Sequence, residues 1–189
     1  TRGEVLKDIK FYFLLPAVLC PPFLITGIFI NQIFLFESSG WGISYIAPSF
    51  TAYAIFTLFS LQVSGYLIDR FSAIKVLPFY LLPMIVGLVF SYLFQFSLSP
   101  VLFFIFIAIT NGTANVLITS TWSEIYGTKH LGAIRSVTVA LMVFSTSLSP
   151  VLFGYLIDDG FNAQKIFLFM VLYAIFSNLL FCLKIKSFK

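Results

Sequence analysis

Asn111, Asn115, Thr119 and Trp122 recur at intervals of four, four and three residues within one apolar segment. On an α-helix those intervals fall on a single stripe, so two amides, a hydroxyl and an indole look in one direction. These groups donate and accept hydrogen bonds without charge. That chemistry suits either solute recognition in a wet cavity or hydrogen bonding between helices where water is scarce. Asn31 and Gln32 follow Cys20-Pro21-Pro22, a sequence that predicts a kinked helix ahead of a second pair of amides. Tyr45, Ser49 and Tyr53 lie on one face at helical spacing, with Tyr45 the better suited to an interfacial aromatic belt. Ser145 and Ser149, four residues apart and leading into Pro150 and Gly154, read as a close helix contact. Catalytic chemistry has no such constellation. The single histidine, His130, falls in a loop, and Cys20 and Cys182 lack metal-ligand spacing. With no acid cluster and no Ser/His pair at depth, neither an enzyme nor a cofactor is expected.

The elements that position these residues follow from composition. The chain is 60% hydrophobic, only 10% charged and contains 25 phenylalanines, and its mean hydropathy is +1.03. A soluble domain carries roughly a quarter charged residues. A globule of this composition would leave a large apolar area in water, so the bilayer is its solvent and nucleic acid is not a partner. Charges and turn residues cut the chain into Phe11–Phe36, Ile43–Ile68, Val76–Phe96, Pro100–Trp122, Ile134–Ile157 and Ile166–Leu183, each about long enough to cross 30 Å as a helix. None shows the alternation of a barrel strand, and an unpaired backbone amide in hydrocarbon is expensive, so an all-α integral membrane fold is expected. The first span, too long for a signal peptide, directs insertion itself.

Orientation follows from the basic residues. Arg2, Lys7 and Lys10 precede the first span, Arg70 and Lys75 separate the second and third, Lys129 and Arg135 the fourth and fifth, and Lys184, Lys186 and Lys189 follow the sixth. Lys165 alone lies on the other face, with Glu37, Asp158 and Asp159. This bias predicts a multi-pass protein of the plasma (inner) membrane with both termini cytoplasmic.

Gly-Tyr-Leu-Ile-Asp occurs at Gly65–Asp69 and again at Gly154–Asp158. The first copy closes the second span and the second closes the fifth, on opposite faces, which predicts two inverted three-helix repeats. A second identity, Ser97–Phe103 with Ser147–Phe153, has a different offset and reflects low compositional diversity.

Gly65-Tyr-Leu-Ile-Asp69-Arg70 followed by Lys75 resembles the signature loop of the major facilitator superfamily, Gly-x-x-x-Asp-Arg-x-Gly and then basic residues. Ser72 stands at the second glycine, and Ala73 and Ile74 at the usual basic positions. The segment Trp122–Arg135 is similar to the family's fourth-to-fifth connection. The resemblance implies the C-terminal six-helix half of a twelve-helix transporter, with a missing N-terminal half as partner. Its parts would be a linker end at 1–10, repeats at 11–96 and 97–183, and a cytoplasmic tail at 184–189. Thr1 in place of Met, and a polar first decade, fit an excised half. The family pattern further implies alternating access for a small-molecule substrate, with Asn31, Gln32, Tyr53, Asn111, Asn115, Thr119 and Trp122 along its pathway. Gly65, Asp69, Arg70, Lys75, Glu124 and Arg135 would form a cytoplasmic gate, with Arg70 reaching Glu124. No ionisable residue falls deep in a span, so a charged substrate is expected to take its counter-charge from the other half. The alternative is a non-transporting six-helix scaffold or accessory subunit.

Overall fold

A segment that is apolar on every side offers water no face, and in hydrocarbon its backbone pairs with itself. In the computed structural model, which describes residues 2–94, 96 and 98–184, all secondary structure among the described residues is helical. Thr1, Gln95, Ser97 and residues 185–189, including Lys186 and Lys189 of the expected tail, lie outside the described residues. The long helices are α1 (Ile9–Ile30), α2 (Ile46–Phe71), α3 (Leu82–Leu93), α4 (Ser99–Tyr126), α5 (Leu131–Asp158) and α6 (Ala163–Lys184). A short helix Gln32–Ser38 continues α1, a 3₁₀ turn Ile43–Tyr45 leads into α2, and turns at Ala73–Val76 and Leu77–Phe79 lead into α3. Six stretches are thus long and apolar enough to cross a membrane, as a multi-pass membrane protein requires.

Helix α1 continues through Pro16, Pro21 and Pro22 and ends at its cap Asn31. Pro21 has no N–H to give the carbonyl of Ala17 four residues back. The hydroxyl of Tyr80, from the turn ahead of α3, donates to that oxygen. A neighbouring helix thus satisfies the group that the proline frees, which is how prolines are tolerated in spans.

Helices α1 and α4 lie at the centre of the bundle. Helix α4 packs against α2, α3 and α1, helix α1 also against α5 and α6, and α3 against α6. Two crossings are unusually close. Where α2 meets α4, a Cβ on Gly112 would collide with Ser60 Oγ and the backbone oxygen of Thr57. Ser60 Oγ donates to the carbonyl of Ala108 at 3.3 Å, and Ser64 Oγ to Thr113 Oγ1 at 2.9 Å. Where α1 meets α5, a Cβ on Gly27 would come within 2.8 Å of Ser149 Oγ and 2.7 Å of the Phe153 ring. Here Ser149 Oγ donates to the carbonyl of Phe23 at 2.5 Å. Small residues let the backbones approach, and the hydroxyls then reach the opposite carbonyls.

Two helix starts, those of α3 and α6, are capped from other elements, because first N–H groups have no intrahelical partner. Thr110 accepts from the Met84 amide at 3.0 Å, and Ser38 from the Ala163 amide at 3.0 Å. Residues with φ between 68° and 83° turn the chain at Gly40, Ser72, Gly127 and Gly160. Only Ser72 among them bears a side chain, in a region that favours glycine.

Candidate functional site

The stripe on α4 borders a cleft of about 250 Å³ between α1, α4 and α5. Asn111, Asn115, Thr119 and Trp122 line it from α4, Pro21 and Pro22 from α1, and Arg135, Thr138 and Met142 from α5. Asn111 and Trp122 are eleven positions apart, so the lined length is about 16 Å at 1.5 Å per residue. The cleft runs from the middle of α4 toward the end of the bundle where α4 finishes and α5 begins.

Each polar side chain has a distinct situation. Asn111 is half-buried and its Nδ2 donates to Tyr53 Oη at 2.8 Å, tying α4 to α2. Asn115 is exposed to the cleft and its Nδ2 donates to the carbonyl of Asn111 at 3.1 Å. Its amide oxygen is left for another donor. Trp122 is fully buried, with its ring 5.4 Å from that of Phe11 and stacked on Tyr126 at 6.0 Å. The indole Nε1 has no hydrogen-bond partner among the described residues, a costly state for a buried donor. Tyr126 in turn donates to Asp8 Oδ2 at 3.0 Å.

The opposite end of the bundle is filled by rings. Phe29, Phe50, Tyr53 and Phe104 stand 5.0–6.3 Å apart by centroid where α1 ends and α2 and α4 begin. Phe36, Trp41, Phe103 and Phe167 extend the cluster onto α6. Such a cluster leaves little path for a polar solute, and the Tyr53–Asn111 bond sits at its border with the cleft.

Other expected pathway residues do not line the cleft. Asn31 turns its Nδ2 to the carbonyl of Gly27 at 3.0 Å and closes its own helix. Gln32 is half-buried with Oε1 unpartnered among the described residues. Both lie at the ring-filled end, because α1 has already run its length by residue 30. Tyr53 joins the cleft only through Asn111.

At the other end, the expected Arg70–Glu124 pair gives way to different contacts. The Glu124 carboxylate accepts the backbone N–H groups of Ala73 at 2.6 Å and Ile74 at 3.1 Å. A carboxylate is favoured at the start of a helical turn by the unpaired amides and their dipole. Arg70 donates to Tyr66 Oη at 3.3 Å and lies 5.3 Å from the centre of the Phe71 ring. Asp69 and Lys75 are exposed, and the Asp69 carboxylate has no partner among the described residues. Gly65 has open space around its Cα, so packing within this chain does not require glycine there. Arg135, expected with this group, lines the cleft instead.

The α5 contribution was open to sequence reading, since Arg135, Thr138 and Met142 follow the i, i+3, i+7 spacing of one helical face. What was missing was the knowledge that α5 lies against α1 beside the α4 stripe. No protein-family model matches the chain, and a search of curated proteins returns no match.

Proposed function

We propose that this chain is the C-terminal six-helix half of a secondary transporter of the major facilitator type, which moves a small solute by alternating access. The observation that carries this reading is the cleft itself, polar along α4, extending toward one end of the bundle and stopped by aromatic rings at the other. A solute site that is reached from one side and sealed from the other is what alternating access requires.

The packing supports an inverted repeat. Exchanging the first three long helices with the last three turns the α2–α4 pair into α5–α1 and the α3–α4 pair into α6–α1, and leaves α3–α6 and α1–α4 unchanged. The correspondence extends to atoms. Ser60 lies five residues before Gly65, and Ser149 five before Gly154, within the repeated pentapeptide. Their acceptors, the carbonyls of Ala108 and Phe23, lie four residues before Gly112 and Gly27, the two glycines at the crossings. The outer faces of α2 and α5 carry exposed Leu58, Phe59 and Tyr66, and Val143, Val151 and Tyr155. In this reading the N-terminal half covers part of those faces and lipid the rest, in a plasma (inner) membrane with both termini cytoplasmic. Asp69 and Arg70 then belong to the cytoplasmic gate, with Glu124 fixing the start of the third span beside them.

A second reading, a non-transporting scaffold, is favoured by one observation: the side-chain NH2 groups of Asn111 and Asn115 each already give one hydrogen bond within the protein. The deciding experiment is solute uptake by the intact protein in liposomes, against a panel of anionic, neutral and cationic solutes, with and without a pH gradient. Saturable uptake of one class supports the transporter. A folded, correctly inserted protein that takes up none of them would leave the scaffold.

A further inference from the structure

Among the described residues, Arg135 is the only charged one that lines the cleft. Its guanidinium is permanently charged, and it is exposed rather than buried in a pair. By the alternation of antiparallel helices, the carboxylates at its end of the bundle among the described residues are those of Glu4, Asp8, Asp69 and Glu124. Asp8 holds the Lys10 amide and the Tyr126 hydroxyl, and Glu124 holds the amides of Ala73 and Ile74. Glu4 is engaged within the protein, and Asp69 stands on α2, which contributes no lining residue. Among the described residues, no carboxylate therefore compensates the positive charge at the cleft. Beside it, the Trp122 indole N–H is buried without a partner among the described residues, and the Asn115 amide is open to the cleft. The cleft of about 250 Å³ has room for a small organic solute, since liquid water takes ~30 Å³ per molecule.

Resting on the transporter reading, we infer that the solute of this cleft is a small organic anion whose carboxylate or phosphate is held by Arg135. The guanidinium fork matches either group bidentately. Asn115 and Thr119 meet the neutral polar part, and Pro21, Pro22 and Met142 the carbon skeleton. The counter-charge for an anion is thus present in this half and need not come from another.

The test uses the intact protein, with binding and transport measured separately. Binding is followed by intrinsic fluorescence in detergent, taking the part of the change that Trp122→Phe abolishes. The probes are a three-carbon hydroxycarboxylate, a phosphate monoester of similar size, the amide of the same hydroxycarboxylate and a primary amine. Saturable binding of at least one anion is expected, weaker by about tenfold or more for the amide and in Arg135→Gln, with partial retention in Arg135→Lys. The two anions distinguish a carboxylate from a phosphate site. Equal binding of amide and anion, or an Arg135→Gln variant with unchanged anion affinity and unchanged thermal stability, overturns the inference. Uptake of neutral solutes without anion binding also overturns it while leaving the transporter reading intact. Anion binding that depends on Arg135 without any uptake sustains the site and removes transport.

Discussion

Replacing Gly112 by alanine should harm the protein far more than the same change at Gly27, although both glycines sit at helix crossings. At Gly112 the new methyl would meet Ser60 Oγ and, beyond it, backbone atoms of Thr57 and Leu61. Backbone cannot rotate away, so α2 and α4 must separate. Overpacking of this kind costs about 1–3 kcal/mol. Separation also weakens the Ser60–Ala108 and Ser64–Thr113 bonds, worth about 0.6 kcal/mol each between membrane helices. Against this stands the helix-propensity gain of Ala over Gly, about 1 kcal/mol. The net is a loss of roughly 1–3 kcal/mol. At Gly27 the obstacles are the edge of the Phe153 ring and the Ser149 hydroxyl, both side chains that rotate. The clash then falls at the low end of the same range, and the propensity gain brings the net near zero, within about 1 kcal/mol. The assay is thermal denaturation of the intact protein in detergent, read by the monodisperse fraction remaining after heating. Ser60→Ala should not rescue Gly112→Ala, since the Thr57 carbonyl remains, whereas Phe153→Leu should rescue any residual loss in Gly27→Ala. Equal midpoints for the two glycine variants would refute the argument from backbone against side-chain obstacles.

Ser72→Gly should raise the thermal midpoint, because φ of 77° with ψ of 149° strains a non-glycine residue by about 1–3 kcal/mol, offset in part by the greater freedom of glycine when unfolded; an unchanged or lower midpoint would count against that strain. Tyr80→Phe should cost about 1–3 kcal/mol, since the Ala17 carbonyl freed by Pro21 then loses its donor in a dry site; Pro21→Ala should suppress the loss, which a double-mutant cycle measures. Asn111→Ala should lower stability through the lost Tyr53 bond, by about 0.5–1.5 kcal/mol, while Asn115→Ala should leave stability within error and raise the half-saturation constant for uptake. The reverse pattern would exchange their roles. Cysteine placed at Lys129 should react with impermeant reagents only from the cytoplasmic side, and labelling from outside would invert the proposed topology.

The sequence by itself determined the solvent and the elements. Six apolar stretches of sufficient length leave no other conformation in hydrocarbon than helices, and the observed spans match the expected ones to within a few residues at most ends. Local spacing also fixed the α4 stripe, because a 3.6-residue period sets which side chains share a face. What it did not set is what lies opposite. Asn31 shares amide chemistry with Asn111 and Asn115, but at the end of α1 it is beyond the reach of the cleft and closes its own helix. Glu124 and Arg70 are near in topology, yet the carboxylate goes to the two unpaired amides presented by the turn at Ser72, an acceptor's demand that no spacing rule encodes. Pro21 frees the carbonyl of Ala17, and the donor that satisfies it comes from Tyr80, about sixty residues away in sequence. Arg135 reads as an interfacial charge until α5 packs on α1 and brings it to the stripe on α4. Each of these was decided by the tertiary structure, because a polar group away from water is satisfied by whichever donor or acceptor packing brings near it, and sequence spacing does not say which helix that is.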